Sequence, residues 1–373
     1  MKDFSLLIKP ASADCNLGCS YCFYLSKASL YPATTVHRMS DAVLNGIISS
    51  YMATDQPNYA FGWQGGEPTL MGLDFFVRVT ELQMKYGRAG LSVSNGLQTN
   101  GVLLTRDFAR HLAKFNFLTG ISLDGPAELH DQFRVKTGGG SSHAEVMRAT
   151  MVMREAGADF NILTLVSPAN VREGRRVYEY LRDSGFLFHQ YIPCVETDPG
   201  GKPLPWTVSA GEWGDFLCSV FDAWVKDDTR RVSVRLFDSI LNLLVFNRRV
   251  QCTMMDDCRQ YFLVEHNGDI YPCDFFVEPT LRLGNAGTDS WEEMAGSEKF
   301  REFGGRKRAW GAECARCAFL NLCQGDCPKH RPDGAKGLSR LCAGWKQFYS
   351  HSMEKFRELA VALRAEPGAG DRG

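Results

Sequence analysis

Three cysteines near the start of the sequence have a spacing suited to metal chemistry. Cys15, Cys19 and Cys22 form the pattern C-x3-C-x2-C, with Tyr21 directly before the last thiol. Three thiolates can ligate three irons of a four-iron cluster, which leaves the fourth iron open to a small ligand. Three thiolates and one distant ligand could also bind zinc. The spacing favours the cluster, because it follows a strand-like segment at a predicted βα turn, a common place for catalytic groups.

A second group of thiols lies far along the sequence. Its members are Cys252, Cys258, Cys273, Cys314, Cys317, Cys323, Cys327 and Cys342. They make two complete sets of four, which suits two fully ligated clusters with a role in electron transfer. Two tetrahedral zinc sites would use the same number of thiols. The two remaining cysteines, Cys194 and Cys218, are predicted to be small buried hydrophobic residues.

Thirteen cysteines is an odd number. A disulfide scaffold is not expected in a sequence of this length in which no export signal is recognised. Metal ligation is therefore the better explanation for most of the thiols.

Polar groups follow several predicted strands. Gly65-Gly66-Glu67 ends the second one, where adjacent glycines allow close backbone approach and Glu67 offers a carboxylate. Gln98 to Gly101 predicts a turn after the third. Ser122, after the fourth, could bond a ribose hydroxyl or a carboxylate, and Arg134 could pair with a carboxylate through two hydrogen bonds. Each feature also has a plain structural interpretation, as a strand-end turn or a solvated arginine.

The elements that position these groups follow a regular alternation. From residue 4 to about 245, short β-rich runs alternate with longer amphipathic segments, which is typical of repeated βα units. The predicted strands are Ser5 to Lys9, Tyr59 to Trp63, Leu91 to Ser94, Phe117 to Leu123, Phe160 to Val166 and Phe186 to Ile192. Six units predict an α/β fold, a partial (β/α)6 barrel of the TIM type, with the loops after the strands converging on one rim.

Capping residues and composition shifts predict the boundaries. Ser40, Asp74 and Thr105 are expected to cap helices. Further helices are expected at 206–228 and 237–249, around a strand at 231–236. Regular periodicity gives way to turns near residue 250, so the predicted domains are 1–250, a cysteine-rich module at 251–345, and a helix with a disordered tail at 346–373.

The composition is that of an ordinary globular enzyme. Hydrophobic residues make up 44% of the sequence, and 42 basic residues against 43 acidic ones leave a formal charge of -1. This balance gives no general attraction to nucleic acid or an anionic membrane. With no targeting segment or membrane span recognised, a cytoplasmic location is expected.

The motifs together resemble a known family. The first cysteine motif and the Gly-Gly-Glu segment are similar to those of radical S-adenosylmethionine (SAM) enzymes, and the spacing Cys258-x9-Gly268-x4-Cys273 resembles that of SPASM domains. The segments 15–24, 64–70, 98–101, 122–126 and 271–275 together resemble the anaerobic sulfatase-maturating enzymes. The resemblance extends over about residues 4 to 350.

This resemblance implies an activity and its cofactors. It implies SAM, three 4Fe-4S clusters and oxidation of a Cys or Ser in the C/S-x-P/A-x-R motif of a nascent or unfolded sulfatase to Cα-formylglycine. The implied co-products are 5′-deoxyadenosine and methionine. An electron donor such as flavodoxin or ferredoxin would be a second partner.

The resemblance also assigns roles to residues. Cys15, Cys19 and Cys22 would hold the SAM-binding cluster. The SAM contacts would be Tyr21, Gly66, Glu67, Ser122, Arg134 and Val195, where the family can have Leu at the last position. One auxiliary cluster would use Cys252, Cys258, Cys273 and Cys327, and the other Cys314, Cys317, Cys323 and Cys342. Asp274 would be the catalytic base that accepts the substrate proton.

Two alternatives stay open at this point. Another SPASM peptide maturase, forming thioether or carbon-carbon crosslinks, would use similar motifs. A zinc-stabilised peptide-binding protein without redox chemistry would also use many thiols.

Overall fold

The computed structural model describes residues 3–32, 34–334 and 336–365. Within them the chain forms two compact units. The first comprises Met1–Leu123, His130–Asn161 and Arg259–Gly304, and the second comprises Asp124–Leu129, Ile162–Cys258 and Gly305–Gly373. Each unit is assembled from separate stretches of sequence. The predicted domain limits stay a prediction, and the predicted disordered tail at 366–373 lies outside the described residues.

Strands and helices alternate along most of the chain. The strands are β1 (Ser5–Ile8), β2 (Asn58–Trp63), β3 (Ser92–Thr99), β4 (Leu118–Ser122), β5 (Phe160–Val166), β6 (Phe188–Pro193), β7 (Ser233–Val234), β8 (Tyr261–Val264), β9 (Asp269–Tyr271) and β10 (Gly284–Asn285). The α-helices are α1 (Asp41–Met52), α2 (Gly72–Tyr86), α3 (Arg106–Lys114), α4 (Ala127–His130), α5 (His143–Glu155), α6 (Gly174–Asp183), α7 (Ala210–Asp227), α8 (Arg235–Phe246), α9 (Trp291–Gly296), α10 (Glu298–Gly305), α11 (Ala312–Ala315), α12 (Leu320–Cys323) and α13 (Cys342–Arg364).

The first unit is built on a mainly parallel sheet. Strand β1 pairs in parallel with both β2 and β8, and β2, β3 and β4 pair in parallel in that order. Ile8, the last residue of β1, lies beside Trp63 of β2 and Val264 of β8. Strands β9 and β10 extend the β8 edge in antiparallel pairing. The segments that follow β1, β2 and β8 therefore leave the sheet at the same edge.

The second unit combines a short parallel sheet with long helices. Strand β6 pairs in parallel with β5 and β7. Its hydrophobic core is rich in aromatic side chains from α7, α8 and α13, among them Trp213, Phe237 and Phe348. The rings of Phe237 and Phe348 stack at 5.7 Å between centroids. This core fixes α13, whose first residue is the predicted ligand Cys342.

The predicted α/β class and the order of its six strand-helix units are confirmed. Ser40 and Thr105 cap α1 and α3 as expected, since each side chain accepts a hydrogen bond from the backbone three residues later. The cap predicted at Asp74 is wrong, because α2 begins at Gly72 and Asp74 lies in its first turn. There its carboxylate still suits the positive end of the helix dipole.

Other boundaries differ from the sequence expectations. Strand β3 continues to Thr99, so it includes part of the expected turn. The strand expected at 231–236 is reduced to Ser233–Val234, because helix α8 already starts at Arg235. Helix α8 ends at Phe246, where Asn247 has a φ of 53°. Helix α7 begins at Ala210 rather than 206, after a capping box made by Ser209 and Glu212.

None of the described helices is long and apolar enough to cross a bilayer.

Candidate active site

The three predicted ligands of the first loop lie between β1 and α1. Cys19 is buried, and Cys15 and Cys22 are half-buried. The Cys15 Sγ accepts a hydrogen bond from the backbone N–H of Leu17 at 3.3 Å and lies 3.6 Å from Asn100 Nδ2. Burial raises the pKa of the Cys15 thiol to about 12, with a further contribution from the negative charge of Glu67. A bound metal is the group that would release this proton, since thiol ligands bind as thiolates.

The turn after β2 supports the start of this loop. The N–H of Gly66 donates to the carbonyl of Ser12 and that of Glu67 to the carbonyl of Asp14, both at 2.8 Å. A Cβ on Gly66 would lie 2.1 Å from the Asp14 oxygen, so only glycine permits this approach. The Gly-Gly turn therefore lies directly against the residue that precedes Cys15.

The Glu67 side chain connects the turns after two strands. It is fully buried, and its Oε1 accepts hydrogen bonds from Thr69 N, Thr69 Oγ1 and Thr99 Oγ1 at 2.6 to 2.9 Å. Its Oε2 accepts from Asn100 N at 2.7 Å. Burial raises the pKa of Glu67, and these hydrogen bonds oppose that shift. Its predicted contact with SAM is untested, and Thr69 and Thr99 are partners that sequence inspection missed.

Three other predicted SAM contacts lie in the first unit. The guanidinium of Arg134 lies 5.5 Å from the centre of the Tyr21 ring, and the ring of Phe133 is 5.6 Å from the same ring. The backbone of residue 135 accepts a hydrogen bond from Gly18 N, so the segment that contains Arg134 runs beside the cysteine loop. Ser122 accepts a hydrogen bond from Gln98 Nε2 at 3.1 Å.

Val195 lies in the second unit. It is a buried part of the aromatic-rich core described above. The structure therefore gives its side chain a packing role, and its predicted contact with SAM stays a prediction.

Asp274, the predicted base, is part of a buried polar network. It is 3% exposed, and its Oδ2 accepts hydrogen bonds from the Tyr24 hydroxyl and from Gln64 Nε2. Lys9 Nζ lies 3.7 Å from its Oδ1 and 2.5 Å from Glu265 Oε1. Burial and the Asp274 charge raise the pKa of Tyr24 far above its usual value, so Tyr24 stays a hydrogen-bond donor.

Sequence inspection assigned no role to the partners of Asp274. Lys9 and Gln64 directly follow β1 and β2, where a polar residue ends an apolar run. Glu265 directly follows β8 in the same way. The signal was a polar residue at the carboxyl end of each strand.

Four predicted ligands in the second unit line one cavity. They are Cys314, Cys317, Cys323 and Cys342. The same cavity is lined by Phe319, Leu320, Trp345 and Tyr349. Burial raises the pKa of Cys323 to about 11. Polar side chains, among them Asp326 and Lys346, complete the lining. Four thiols around one cavity fit a cluster in which every iron has a protein ligand.

The other predicted set of four thiols is placed less completely. Cys252 is exposed and Cys327 is half-buried, and the two are neighbours in the second unit. Partial desolvation of the Cys252 thiol, and then the charge of Cys327, raise the pKa of Cys252. Cys258 is half-buried in the same unit. Cys273 follows β9 in the first unit, with its Sγ 3.4 Å from the Tyr261 hydroxyl. Their assignment to one cluster stays a prediction.

In the ranges 3–32, 34–334 and 336–365, no three His, Cys, Asp or Glu side chains surround a point that one ion could occupy. A four-iron cluster does not need such a point, because each thiolate binds a different iron.

Two family models match the chain. Residues 10–181 match the radical SAM superfamily, and residues 252–318 match SPASM, an iron-sulfur cluster-binding domain. The chain is thus a radical SAM enzyme with a SPASM domain, a class that uses SAM and iron-sulfur clusters. These matches favour iron-sulfur clusters over the zinc alternative.

Sequence comparison with curated relatives identifies the family within this class. The chain is 36% identical to a serine-type anaerobic sulfatase-maturating enzyme of Bacteroides thetaiotaomicron, over 94% of this chain and 89% of the relative. It is 35% identical to a cysteine-type enzyme of Clostridium perfringens, over 98% of this chain and all of the relative. The chain belongs to the anaerobic sulfatase-maturating enzymes.

The structural comparison agrees with the sequence comparison. Native anSMEcpe with bound AdoMet and Cp18Cys peptide matches with a TM-score of 0.90 and 34% identity, over 96% of this chain and 99% of that one. SuiB of Streptococcus suis, bound to S-adenosylmethionine, matches with a TM-score of 0.63 at 15% identity, over 91% of this chain and 77% of that one. At that identity SuiB shares the fold alone.

Proposed function

We propose that this chain oxidises a Cys or Ser side chain in a sulfatase polypeptide to Cα-formylglycine. Its relatives of both the serine and the cysteine type are sulfatase-maturating enzymes, and the solved structure of anSMEcpe holds a peptide. The observation that carries the proposal is the buried Asp274 carboxylate held by Tyr24 and Gln64. It is a candidate base next to Cys273, a predicted cluster ligand.

The proposal assigns the cofactors to the residues described above. Cys15, Cys19 and Cys22 would hold the cluster that binds and reduces SAM. The residues that would contact SAM include Gly66 and Glu67, in the turn after β2, and Ser122, at the end of β4. Tyr21 and Arg134 would be further contacts. Val195 would contribute packing only. The eight later thiols would hold two auxiliary clusters, which makes three clusters in all.

The cofactors would supply chemistry that no side chain can perform. When bound, they provide one-electron reduction of SAM, removal of a hydrogen atom from the substrate Cβ and an acceptor for the remaining electron. The co-products would be 5′-deoxyadenosine and methionine. The reducing electron would come from a donor such as flavodoxin or ferredoxin.

A side chain of the protein would remove the proton from the substrate S–H or O–H group. The substrate loses a hydrogen atom from Cβ, a proton from its S–H or O–H group, and one electron. The Asp274 carboxylate would take the proton, while Tyr24 and Gln64 hold it in place through Oδ2. The product is an aldehyde directly from Ser, or after hydrolysis of a thioaldehyde from Cys.

Mass spectrometry of a peptide tests this proposal. Sulfatase-derived Cys and Ser peptides are incubated without oxygen with the protein, SAM and a strong reductant, and a peptide with Ala at the target position is the control. We expect a loss of about two mass units from the Ser peptide and about eighteen from the Cys peptide, and a product that reacts with an aldehyde probe. Cleaved SAM with neither peptide altered would contradict the proposal.

The aldehyde probe distinguishes formylglycine formation from the nearest alternative, which is formation of a crosslink. A crosslinking SPASM maturase would also remove about two mass units when it forms a bond between two side chains. Its product would not react with the probe. Such a result would favour crosslinking over formylglycine formation.

A further inference from the structure

Lys9 is a buried cation next to the proposed base. It directly follows β1 and is 0% exposed. Its Nζ lies 2.5 Å from Glu265 Oε1, 3.7 Å from Asp274 Oδ1 and 5.2 Å from the centre of the Tyr24 ring. One ammonium group is thus shared between two buried carboxylates.

The backbone explains how Lys9 and Glu265 meet. Strands β1 and β8 pair in parallel, with Ile8 beside Val264 at their carboxyl ends. The Lys9 N–H donates to the Val264 carbonyl at 2.8 Å, which continues the ladder by one bond. Lys9 and Glu265 are therefore the next residues along two adjacent strands. Burial alone would raise the pKa of Glu265. The neighbouring His266 and Lys9 together have a larger effect in the opposite direction, so the pKa of Glu265 is lowered overall.

A buried ion pair such as Lys9–Glu265 contributes little to the stability of a fold. Removing two charges from water can cost more than their attraction returns, and apolar residues of similar volume are often as stable. The flanking strand residues Leu6 and Ile8 are buried and apolar. Replacing Lys9 and Glu265 together by uncharged side chains would remove this cost, so stability gives little reason for a charged pair there.

The position of Asp274 supplies a reason. Tyr24 and Gln64 hold its Oδ2, while Lys9 faces its Oδ1. These three groups come from three different segments, so together they restrict both the place and the rotation of the carboxylate. Glu265 in turn holds Lys9 at the shorter distance.

We propose that Lys9 is a positioning residue for the oxidation, which orients the Asp274 carboxylate toward the substrate while Glu265 anchors the ammonium group. This inference rests on the proposed function. Neither Lys9 nor Glu265 contacts the substrate in this proposal. Both act through Asp274.

The variant Lys9→Met tests the inference. We expect SAM to be cleaved at close to the wild-type rate, while the aldehyde formed per SAM cleaved falls about 10- to 100-fold, the range expected for a misplaced reacting group. The kcat for aldehyde formation should fall, and the KM for the peptide should change little. The readouts are 5′-deoxyadenosine by chromatography and aldehyde by mass spectrometry.

A double variant separates positioning from charge balance. Lys9→Met alone leaves Glu265 buried without its cation, which could disturb folding. In Lys9→Met with Glu265→Gln the ion pair is removed as a whole, while Tyr24 and Gln64 still donate to Asp274, so we expect wild-type iron content and thermal stability but the same loss of aldehyde per SAM. Normal coupling in this double variant would overturn the inference, because Lys9 would then only neutralise Glu265.

Two further controls complete the design. Arg78→Met removes an ion pair with Asp41 in which both side chains are exposed, and it should leave the product ratio unchanged. If wild-type protein forms no aldehyde, the proposed function itself fails. If wild-type protein forms aldehyde and the double variant does so with the same ratio, only the role of Lys9 fails.

Discussion

The first cysteine loop and the four-cysteine cavity offer the same kind of ligand in different surroundings. Around Cys15 are polar groups, including Asn100, and a buried carboxylate is close enough to raise the pKa of its thiol. Around Cys314, Cys317, Cys323 and Cys342 are both apolar side chains, such as Phe319, Trp345 and Tyr349, and polar ones, such as Glu313, Asp326 and Lys346. Burial, and then the charge of Asp326, raise the pKa of Cys323. The clearest difference is the number of thiols, since three leave one iron open to an exchangeable ligand, whereas four ligate every iron and suit a cluster that only passes electrons.

The largest expected effect comes from the first loop. Changing Cys15, Cys19 and Cys22 together to Ala should reduce both SAM cleavage and aldehyde formation to the level without protein. Iron should fall by about four per chain while the rest stays, since the other thiols are unchanged. Chromatography and iron analysis measure both. Retained SAM cleavage would show that these thiols do not hold the reactive cluster.

The next largest effect is expected from a change at Asp274, which should impair proton removal from the substrate without preventing SAM cleavage. Asp274→Asn keeps the shape of the side chain but removes the proton acceptor. We expect aldehyde formation to fall about 10²- to 10⁴-fold, the usual contribution of a general base, while SAM cleavage survives. The ratio of aldehyde to 5′-deoxyadenosine measures it. An unchanged ratio would remove Asp274 from the mechanism.

A smaller effect on activity is expected when one thiol of the four-cysteine cavity is removed. Cys323→Ala should cost about four of about twelve irons and reduce aldehyde formation, while SAM is still cleaved. The matched control is Cys218→Ala, a half-buried thiol on α7 in the same unit, which should keep all the iron. If both variants bound the same amount of iron, the distinction between ligand and packing cysteines would be lost.

The smallest effect concerns the support of the first loop. Gly66→Ala would place a Cβ 2.1 Å from the Asp14 carbonyl oxygen, so the turn must shift at a cost of about 1–3 kcal/mol. Gly46→Ala, on α1, meets no atom within 4 Å and should be neutral or slightly stabilising. Thermal unfolding and SAM binding compare the two. Equal stability of the variants would contradict the close approach seen here.

Local sequence signals predicted features that depend on local physics. Ser40 and Thr105 cap their helices through their own hydroxyls, which accept hydrogen bonds from backbone N–H groups three residues later. The spacing of Cys15, Cys19 and Cys22 is local in the same sense. These predictions needed no knowledge of distant partners.

Features that depend on distant pairing were missed. The strand expected at 231–236 is short because only Ser233 and Val234 pair with β6, while the residues after them join a helix. The meeting of Lys9 with Glu265 depends on the register between β1 and β8, which are far apart in sequence. No short window of sequence contains both residues, so the sequence pattern did not connect them.

Cys342 begins a 23-residue helix that packs on α7 and α8 through the aromatic core. During synthesis on a ribosome, the thiols of the first loop emerge early, whereas this last wall of the cavity emerges only after almost all the described residues. Cells that supply iron to the growing polypeptide would therefore meet one binding loop long before the other pocket can close. A chain that ends before α13 would contain the thiols of the first loop but would lack Cys342 and so one wall of the cavity.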